Sequence, residues 1–310
     1  MQRTKRLKTM LTIGIITGLA VLLLFSACDT GTGSGVMEVS ITDAPVLADD
    51  VRGVYITVVG IEYHATEEGW VTMEDFEGPK TFNLLALTRG DSELLGEIVL
   101  PSGTYSQIRF MLGLSEDTST SEVGSWIERG DDDDGAYTDG EDSPLFVPSG
   151  VQTGYKAQAG EPFVVPINGT VSVTADFDLR RAVVKLGGQD KYILKPVLRL
   201  IVDNQAGEIS GNVTGMADNG YVVYVYETGT YDVSETDEPD DEATRFSNAV
   251  TSSVVEQEKD PDYVLAYLAE GSYDIVVAQF IDGEFDAVVY VSSDSTEVEA
   301  GETETYDIDL

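Results

Sequence analysis

Thr170-Val171-Ser172-Val173-Thr174-Ala175-Asp176-Phe177-Asp178-Leu179 is the stretch on which the fold turns. Val171, Val173, Ala175, Phe177 and Leu179 fall on one face, and Thr170, Ser172, Thr174, Asp176 and Asp178 on the other. A period of two is the signature of an extended chain whose successive side chains point to opposite faces. The same alternation runs outward in both directions. Val54 to Tyr63, Tyr105 to Leu114, Gly220 to Tyr226 and Tyr273 to Phe280 read as further strands, rich in β-branched and aromatic residues. Lys191 to Ile201 alternates too, with Tyr192, Leu194, Leu198 and Leu200 on one side and Lys191, Lys195 and Arg199 on the other. Only Leu84 to Arg89 reads as a turn or two of helix. Short strands divided by Gly, Pro and Asp turns predict an all-β fold of two antiparallel β-sandwich domains.

The polar turn Asp203-Asn204-Gln205-Ala206-Gly207 divides the chain. It gives a β-rich domain over 36–203 and a second sandwich over 207–310. Phe177, Leu179, Leu194 and Leu198 are expected inside the first, and Val223, Val225, Ile275 and Val277 inside the second. The halves echo each other: Leu100-Pro101-Ser102-Gly103-Thr104-Tyr105 is answered by Leu268-Ala269-Glu270-Gly271-Ser272-Tyr273. An acidic insert at 115–144, centred on Asp131-Asp132-Asp133-Asp134-Gly135, and an acidic loop at 232–242 break the alternation. Both are long for connections in a compact domain and are expected to lie exposed.

The N-terminus has the three parts of an export signal. Arg3, Lys5, Arg6 and Lys8 form a basic start, Met10 to Phe25 an apolar run, and Ser26-Ala27-Cys28 a small-residue end. The run is short for a spanning helix, which needs about 20 residues. Residues 1–27 therefore read as a cleaved signal peptide. Phe25-Ser26-Ala27-Cys28 resembles the bacterial lipobox, in which the cysteine thiol is alkylated with diacylglycerol and becomes the new terminus. Cys28 is also the only cysteine of the 310 residues, so it has no disulfide partner within the chain. Acyl chains on Cys28 would hold the protein to a membrane. Residues 28–35, with Gly31-Thr32-Gly33-Ser34-Gly35, would be a flexible tether.

Charge and composition exclude several functions. Residues 1–27 hold four of the 18 bases and none of the 56 acids, which leaves 14 bases against 56 acids and a formal charge of −42. Such a surface repels nucleic acid and anionic membrane faces. His64 is the sole histidine, and no Gly-x-Ser-x-Gly turn exists for a nucleophilic serine. Zinc chemistry lacks its His and Cys clusters. Carboxylate pairs are so numerous that the sequence nominates none for glycoside hydrolysis. Asp131, Asp132, Asp133 and Asp134 are the best ion candidates, for Ca²⁺, although Asp131 to Asp142 misses the EF-hand register: glycine stands at its fifth place and Asp at its last. No other cofactor is expected. Lys191, Lys195 and Arg199 form a candidate binding stripe in so acidic a chain, which Arg109, Arg180, Arg181 and Lys185 could extend. The competing reading is cross-strand pairing with Asp176 and Asp178.

An ordered set of motifs carries a family resemblance. Ser40-Ile41-Thr42-Asp43-Ala44-Pro45, Val54-Tyr55-Ile56-Thr57-Val58, Gly69-Trp70, Phe82-Asn83-Leu84-Leu85 and Leu100-Pro101-x-Gly103-x-Tyr105-x-Gln107-Ile108-Arg109 follow one another. Asp176-Phe177-Asp178, Val183-Val184-Lys185 and Ile193-Leu194-Lys195-Pro196-Val197-Leu198-Arg199 complete it. Over roughly 36–202 the chain resembles the bacterial lipoproteins grouped as domain of unknown function 4382. The resemblance implies an envelope lipoprotein with a β-rich domain and no established activity. Gly207 to Val213 and Leu268 to Val277 are similar to strands of transthyretin-like or carboxypeptidase-regulatory-like sandwiches, modules used as stalks or docking domains.

These readings converge on a membrane-anchored envelope lipoprotein facing the periplasm or the cell exterior. Its role would be non-enzymatic, in adhesion or in docking a glycan or protein. The alternative is an envelope hydrolase, or a hydrolase accessory, that uses a carboxylate pair. Charge alone makes a prediction. Self-repulsion should raise the ectodomain's melting temperature between low and moderate ionic strength as salt screens it. A flat salt profile would show that the acidity does not destabilise the fold.

Overall fold

The computed structural model describes residues 33–44, 51–65, 69–113, 124–129, 135–138, 140–150, 152–185, 192–239 and 244–310. The fold is all-β, as expected. One 13-stranded sheet holds β1 (Ser34–Ala44), β2 (Gly53–Ala65), β3 (Gly69–Thr72), β4 (Lys80–Asn83), β5 (Glu93–Pro101), β6 (Gly103–Leu112) and β7 (Trp126–Glu128). It continues with β8 (Ser143–Phe146), β9 (Tyr155–Val165), β10 (Thr170–Asp178), β11 (Val183–Lys185), β12 (Tyr192–Leu194) and β13 (Leu198–Val202). The order is β11-β12-β8-β7-β2-β6-β9-β13-β10-β1-β5, with β3 and β4 paired to β2. Inward side chains from Met37 to Val202 form one core.

The pairing corrects the antiparallel expectation. β1 runs parallel to β10, β8 to β12 and β9 to β13. Parallel neighbours need a long connection, and the strands between β1 and β10 supply one. Lys191 to Ile201 is also two strands in place of one. Pro196 cannot donate to a ladder, and the Val197 amide turns back to the Lys195 carbonyl at 2.8 Å. β12 then pairs with β11 and β8, and β13 with β10 and β9. β1 begins at Ser34, inside the span read as tether. A Cβ on Gly35 would stand 2.2 Å from the Pro166 carbonyl oxygen, so only glycine allows this approach.

The strands after Val202 pair among themselves. β14 (Ala206–Gly211), β15 (Val213–Thr214), β16 (Gly220–Glu227), β17 (Thr251–Val254) and β18 (Tyr263–Ala269) come first. β19 (Gly271–Ile281), β20 (Glu284–Val291), β21 (Thr296–Val298), β22 (Thr303–Thr305) and β23 (Ile308–Asp309) follow. They make the sheets β18-β14-β22, β15-β23 and β17-β16-β19-β20, with β21 on β19. Val223, Val225, Ile275 and Val277 pack against Ile209 and Leu265. The opposite face of β16 and β19 is buried too: Val222, Tyr224, Tyr226 and Val276 pack under Phe246 and Ala249.

Phe177, Leu179, Leu194, Val223, Val225, Ile275 and Val277 are fully buried, as expected. Leu198 is only half-buried, at the margin of the first core. The 115–144 insert is less open than its acidity suggests. Trp126 stacks on Tyr55 with centroids 4.6 Å apart. Glu128 is buried and accepts from Tyr55 Oη at 3.1 Å. Asp142 is buried as well, accepting from the amides of Arg129 and Thr138 at 3.1 and 2.7 Å. Asp232 to Pro239 stays largely exposed around a 3₁₀ turn, Val233–Thr236, that Asp232 caps. Among the described residues no helix is long and apolar enough to cross a membrane.

The internal echo has a common geometry. Tyr105 Oη donates to the Pro101 carbonyl at 2.7 Å, and Tyr273 Oη donates to the Ala269 carbonyl at 2.7 Å. Each tyrosine thus closes the turn four residues before it, and Leu100 and Leu268 are buried beneath. Tyr105→Phe and Tyr273→Phe should each cost about 1 kcal/mol in denaturant unfolding, the worth of one such bond. Phe177→Ala should cost about 3–5 kcal/mol. A smaller loss for Phe177→Ala than for the tyrosine variants would contradict this account of the core.

Candidate functional site

The parallel β1–β10 ladder brings two of the sequence motifs together. Its register sets Thr42 beside Asp176, Asp43 beside Phe177 and Ala44 beside Asp178. Three carboxylates thereby gather at one end of the sheet, and all three are buried. Asp43 Oδ1 accepts from the Leu179 amide at 3.2 Å, where β10 gives way to a single α-helical turn, Leu179–Ala182. That turn carries Arg180 back over Asp178. Arg180 Nε and Nη2 donate to the two oxygens of Asp178 at 2.9 and 2.8 Å, a fork geometry suited to carboxylate. Arg181 approaches the same carboxylate at 3.7 Å. Asp176 lies directly opposite Arg199 on β13 and accepts from its Nε at 2.8 Å.

Asp43 differs from its neighbours. Burial pushes its carboxyl well above the ordinary range, and the nearby charge of Asp176 pushes it further. Its Oδ2 is buried without a hydrogen-bond partner, as is Arg180 Nη1. Burial opposes the charge on Arg180, and Asp178 more than offsets it. Burial therefore favours the protonated form of Asp43, beside two carboxylates that pair with arginines. Asp176 and Asp178 are occupied, and the arrangement acts as an electrostatic fastening.

The fastening reaches the second half of the chain. Arg180 Nη2 donates to the Ala249 carbonyl at 3.4 Å, and its guanidinium lies 5.7 Å from the Tyr224 ring centroid. Arg89 adds two stronger links, from Nη1 to the Asp262 carbonyl and from Nη2 to the Pro261 carbonyl, both at 2.6 Å. Tyr267 Oη answers from the other side, donating to the Gly90 carbonyl at 3.2 Å. Arg89 and Tyr267 both adopt positive φ, 61° and 57°. That backbone region costs non-glycine residues of order 1–3 kcal/mol and persists where surrounding contacts impose it.

The residues read from sequence fare differently. Cys28, Asp131, Asp132, Asp133, Asp134 and Lys191 lie outside the described residues. Lys195 and Arg199 stand on separate segments, so they form no stripe along one strand. Arg199 serves Asp176, the cross-strand reading. Arg109 does likewise for Glu62, its register partner on β2, at 2.6 Å, and its guanidinium lies 4.5 Å from the Trp70 ring. Lys185 lies over Tyr192. His64 packs edge-on to Trp70 at 5.2 Å, as a strand histidine would. Among the described residues no group of three or more His, Cys, Asp or Glu is arranged to hold a metal ion. Asp43 escaped sequence reasoning, although its motif was legible; alternation along β1 cannot show that β10 will lie beside it.

The family described as "Domain of unknown function (DUF4382)" matches residues 34–196. No curated protein matches the chain. Among solved structures, a leucine-rich repeat protein from Bacteroides thetaiotaomicron aligns at 11% identity and TM-score 0.21, over 90% of this chain and 26% of that one. The chain thus spans about a quarter of that protein's length. The minor pilin of Streptococcus agalactiae aligns at 10% identity and TM-score 0.21, over 88% of this chain and 94% of the pilin. A putative cell adhesion protein from Bacteroides fragilis aligns at 11% identity and TM-score 0.21, over 88% and 92%. These superpositions are loose, and no functional statement rests on them.

Asp43 sets a pH dependence. Its folded pKa is raised above its unfolded one, so its contribution favours folding at low pH and is lost as pH rises through the folded value. Asp43→Asn keeps an oxygen for the Leu179 amide and removes the titration. The wild-type melting temperature should fall relative to Asp43→Asn as pH rises, with the variant the more stable at alkaline pH. Parallel profiles from acid to alkaline pH would show that Asp43 holds no such proton.

Proposed function

The chain belongs to the family described as domain of unknown function 4382, and on that premise we propose that it is a lipid-anchored envelope protein with a non-catalytic structural or binding role. Acylated Cys28 holds it to the membrane, and the ectodomain faces the periplasm or the cell exterior. The family domain carries the second β-unit, residues 207–310, as a docked partner. One observation carries this reading: next to the family's motifs, Arg89 gives both terminal nitrogens to backbone carbonyls of the second half, and Arg180, held by Asp178, reaches a third. Cations used in this way fasten two parts of one molecule. Spread along the protein, the remaining acidic surface suits contact with cations, a glycan or a basic protein surface. The hydrolase alternative draws less support, because Asp176 and Asp178 already have arginine partners.

Two measurements test the proposal. Cys28→Ser should move the protein from the membrane fraction to the soluble one; an intact Met1 and an unmodified thiol in the wild type would overturn the anchor. Arg89→Ala combined with Arg180→Ala should split the unfolding of the Cys28→Ser protein into two calorimetric transitions. If one cooperative transition persists at an unchanged temperature, the arginines do not join the halves.

A further inference from the structure

The corner of the large sheet where β1 begins is apolar and uncharged. Here β1 and β10 start, β5 and β9 finish, and β6 follows β5. Val99, Val164 and Ile167 are exposed at this tip by 63%, 62% and 62%. Among the described residues of the family domain they are the most exposed large apolar side chains, and Pro101 and Pro166 lie exposed beside them. No Asp, Glu, Lys or Arg occurs in 33–37, 98–106 or 162–175, although charged residues make up 24% of the chain. Inward of it, Glu38 and Glu97 face each other across β1 and β5, and Glu161 stands exposed on β9 three residues before Val164. An uncharged apolar end on so acidic a molecule marks a surface with a partner.

The chain itself identifies that partner. Gly33 lies against Ile167, a Cβ there meeting its side chain at 2.6 Å, so the polypeptide leaves the domain through this patch. Gly33 lies only five residue steps after Cys28. Fully extended they span at most about 18 Å. An acylated Cys28 therefore keeps the tip within that distance of the bilayer. The side-chain links to the second half at Arg89, Gly90 and Arg180 lie near the opposite ends of β5 and β10, and the covalent link leaves β13 at Val202, beside Val173 of β10 and two strands from the edge strand β5. We propose that Val99, Val164 and Ile167 form a membrane-contacting surface that rests on the lipid headgroup region beside the Cys28 anchor. The inference rests on the anchored reading above. The missing charge fits a zwitterionic surface: the tip brings no carboxylate against lipid phosphate and no lysine for anionic lipid, while apolar side chains enter the headgroup boundary. The acidic remainder of the protein is thereby held facing the solvent.

The test uses the full-length acylated protein in phosphatidylcholine vesicles. Once the Cys28 thiol is alkylated, an engineered cysteine is the single labelling site. Ile167→Cys and Val99→Cys carry an environment-sensitive fluorophore, and Val289→Cys, on β20 of the second half, is the control. Emission from 167 and 99 should shift to the blue and lose about half its intensity to a lipid-borne quencher, the depth expected of contact at the headgroup boundary. Emission from 289 should do neither. Protein that floats with the vesicles while 167 and 99 behave like 289 would overturn the surface and leave the anchor standing. Protein that does not float would overturn both. A blue shift that persists in the Cys28→Ser background without vesicles, and grows with protein concentration, would assign the patch to a second copy and overturn the lipid contact.

Discussion

The pairing of β1 with β10 is the constraint on which the rest of the structure depends. The two strands run parallel in unbroken register from Val36 beside Thr170 to Ala44 beside Asp178. β5 can join only on the free edge of β1, and β13 only on that of β10. At one end of the ladder Gly35 lets the 166–169 turn approach to contact distance. At the other the Asp43 carboxylate receives the Leu179 amide and ends β10 in a helical turn. A parallel pair formed over so long a sequence separation carries a loop-closure cost, and apolar burial on the core face offsets it. Val39, Ile41, Val173 and Phe177 provide that burial.

The charged cluster follows from this ladder. Parallel alignment in register places Asp43 between Asp176 and Asp178, where burial first and the neighbouring carboxylates second push its carboxyl above the ordinary range. Asp176 and Asp178 each take an arginine, and Asp43 takes the Leu179 amide. Buried ion pairs give little net stability, because desolvation consumes most of the Coulombic gain, but breaking one is costly. Their use here is directional. Asp178 aims Arg180, and Arg180 reaches Ala249 and Tyr224 in the second half. Arg89 and Tyr267, the two residues of positive φ at this joint, are held there by their bonds across it.

Both halves show why alternation is readable and pairing is not. Strand faces obey a two-residue period set by local geometry, and Val223, Val225, Ile275, Val277 and Phe177 are buried as that period requires. The Leu-x-x-Gly-x-Tyr echo was legible too, because each tyrosine's bond spans only four residues. The basic stripe fails for a physical reason: Pro196 breaks the strand, and a period counted through it joins Lys195, which lies between β12 and β13, to Arg199 on β13. The insert was misread through its composition, since the buried Glu128 and Asp142 serve local amides and Tyr55.

By itself the sequence determined the all-β class, the strand faces, the turn at 203–207 and the motifs of the family, because each depends on contacts a few residues apart. Only the tertiary structure decided that β1 would lie parallel to β10 and that Asp43 would share a buried site with Asp176 and Asp178. It also decided that Arg89 and Arg180 would reach the second half. Those outcomes rest on contacts made across 69 to 173 residues of chain. Alternation is identical for either edge and either direction, so the choice falls to the burial and hydrogen bonding of the assembled sheet.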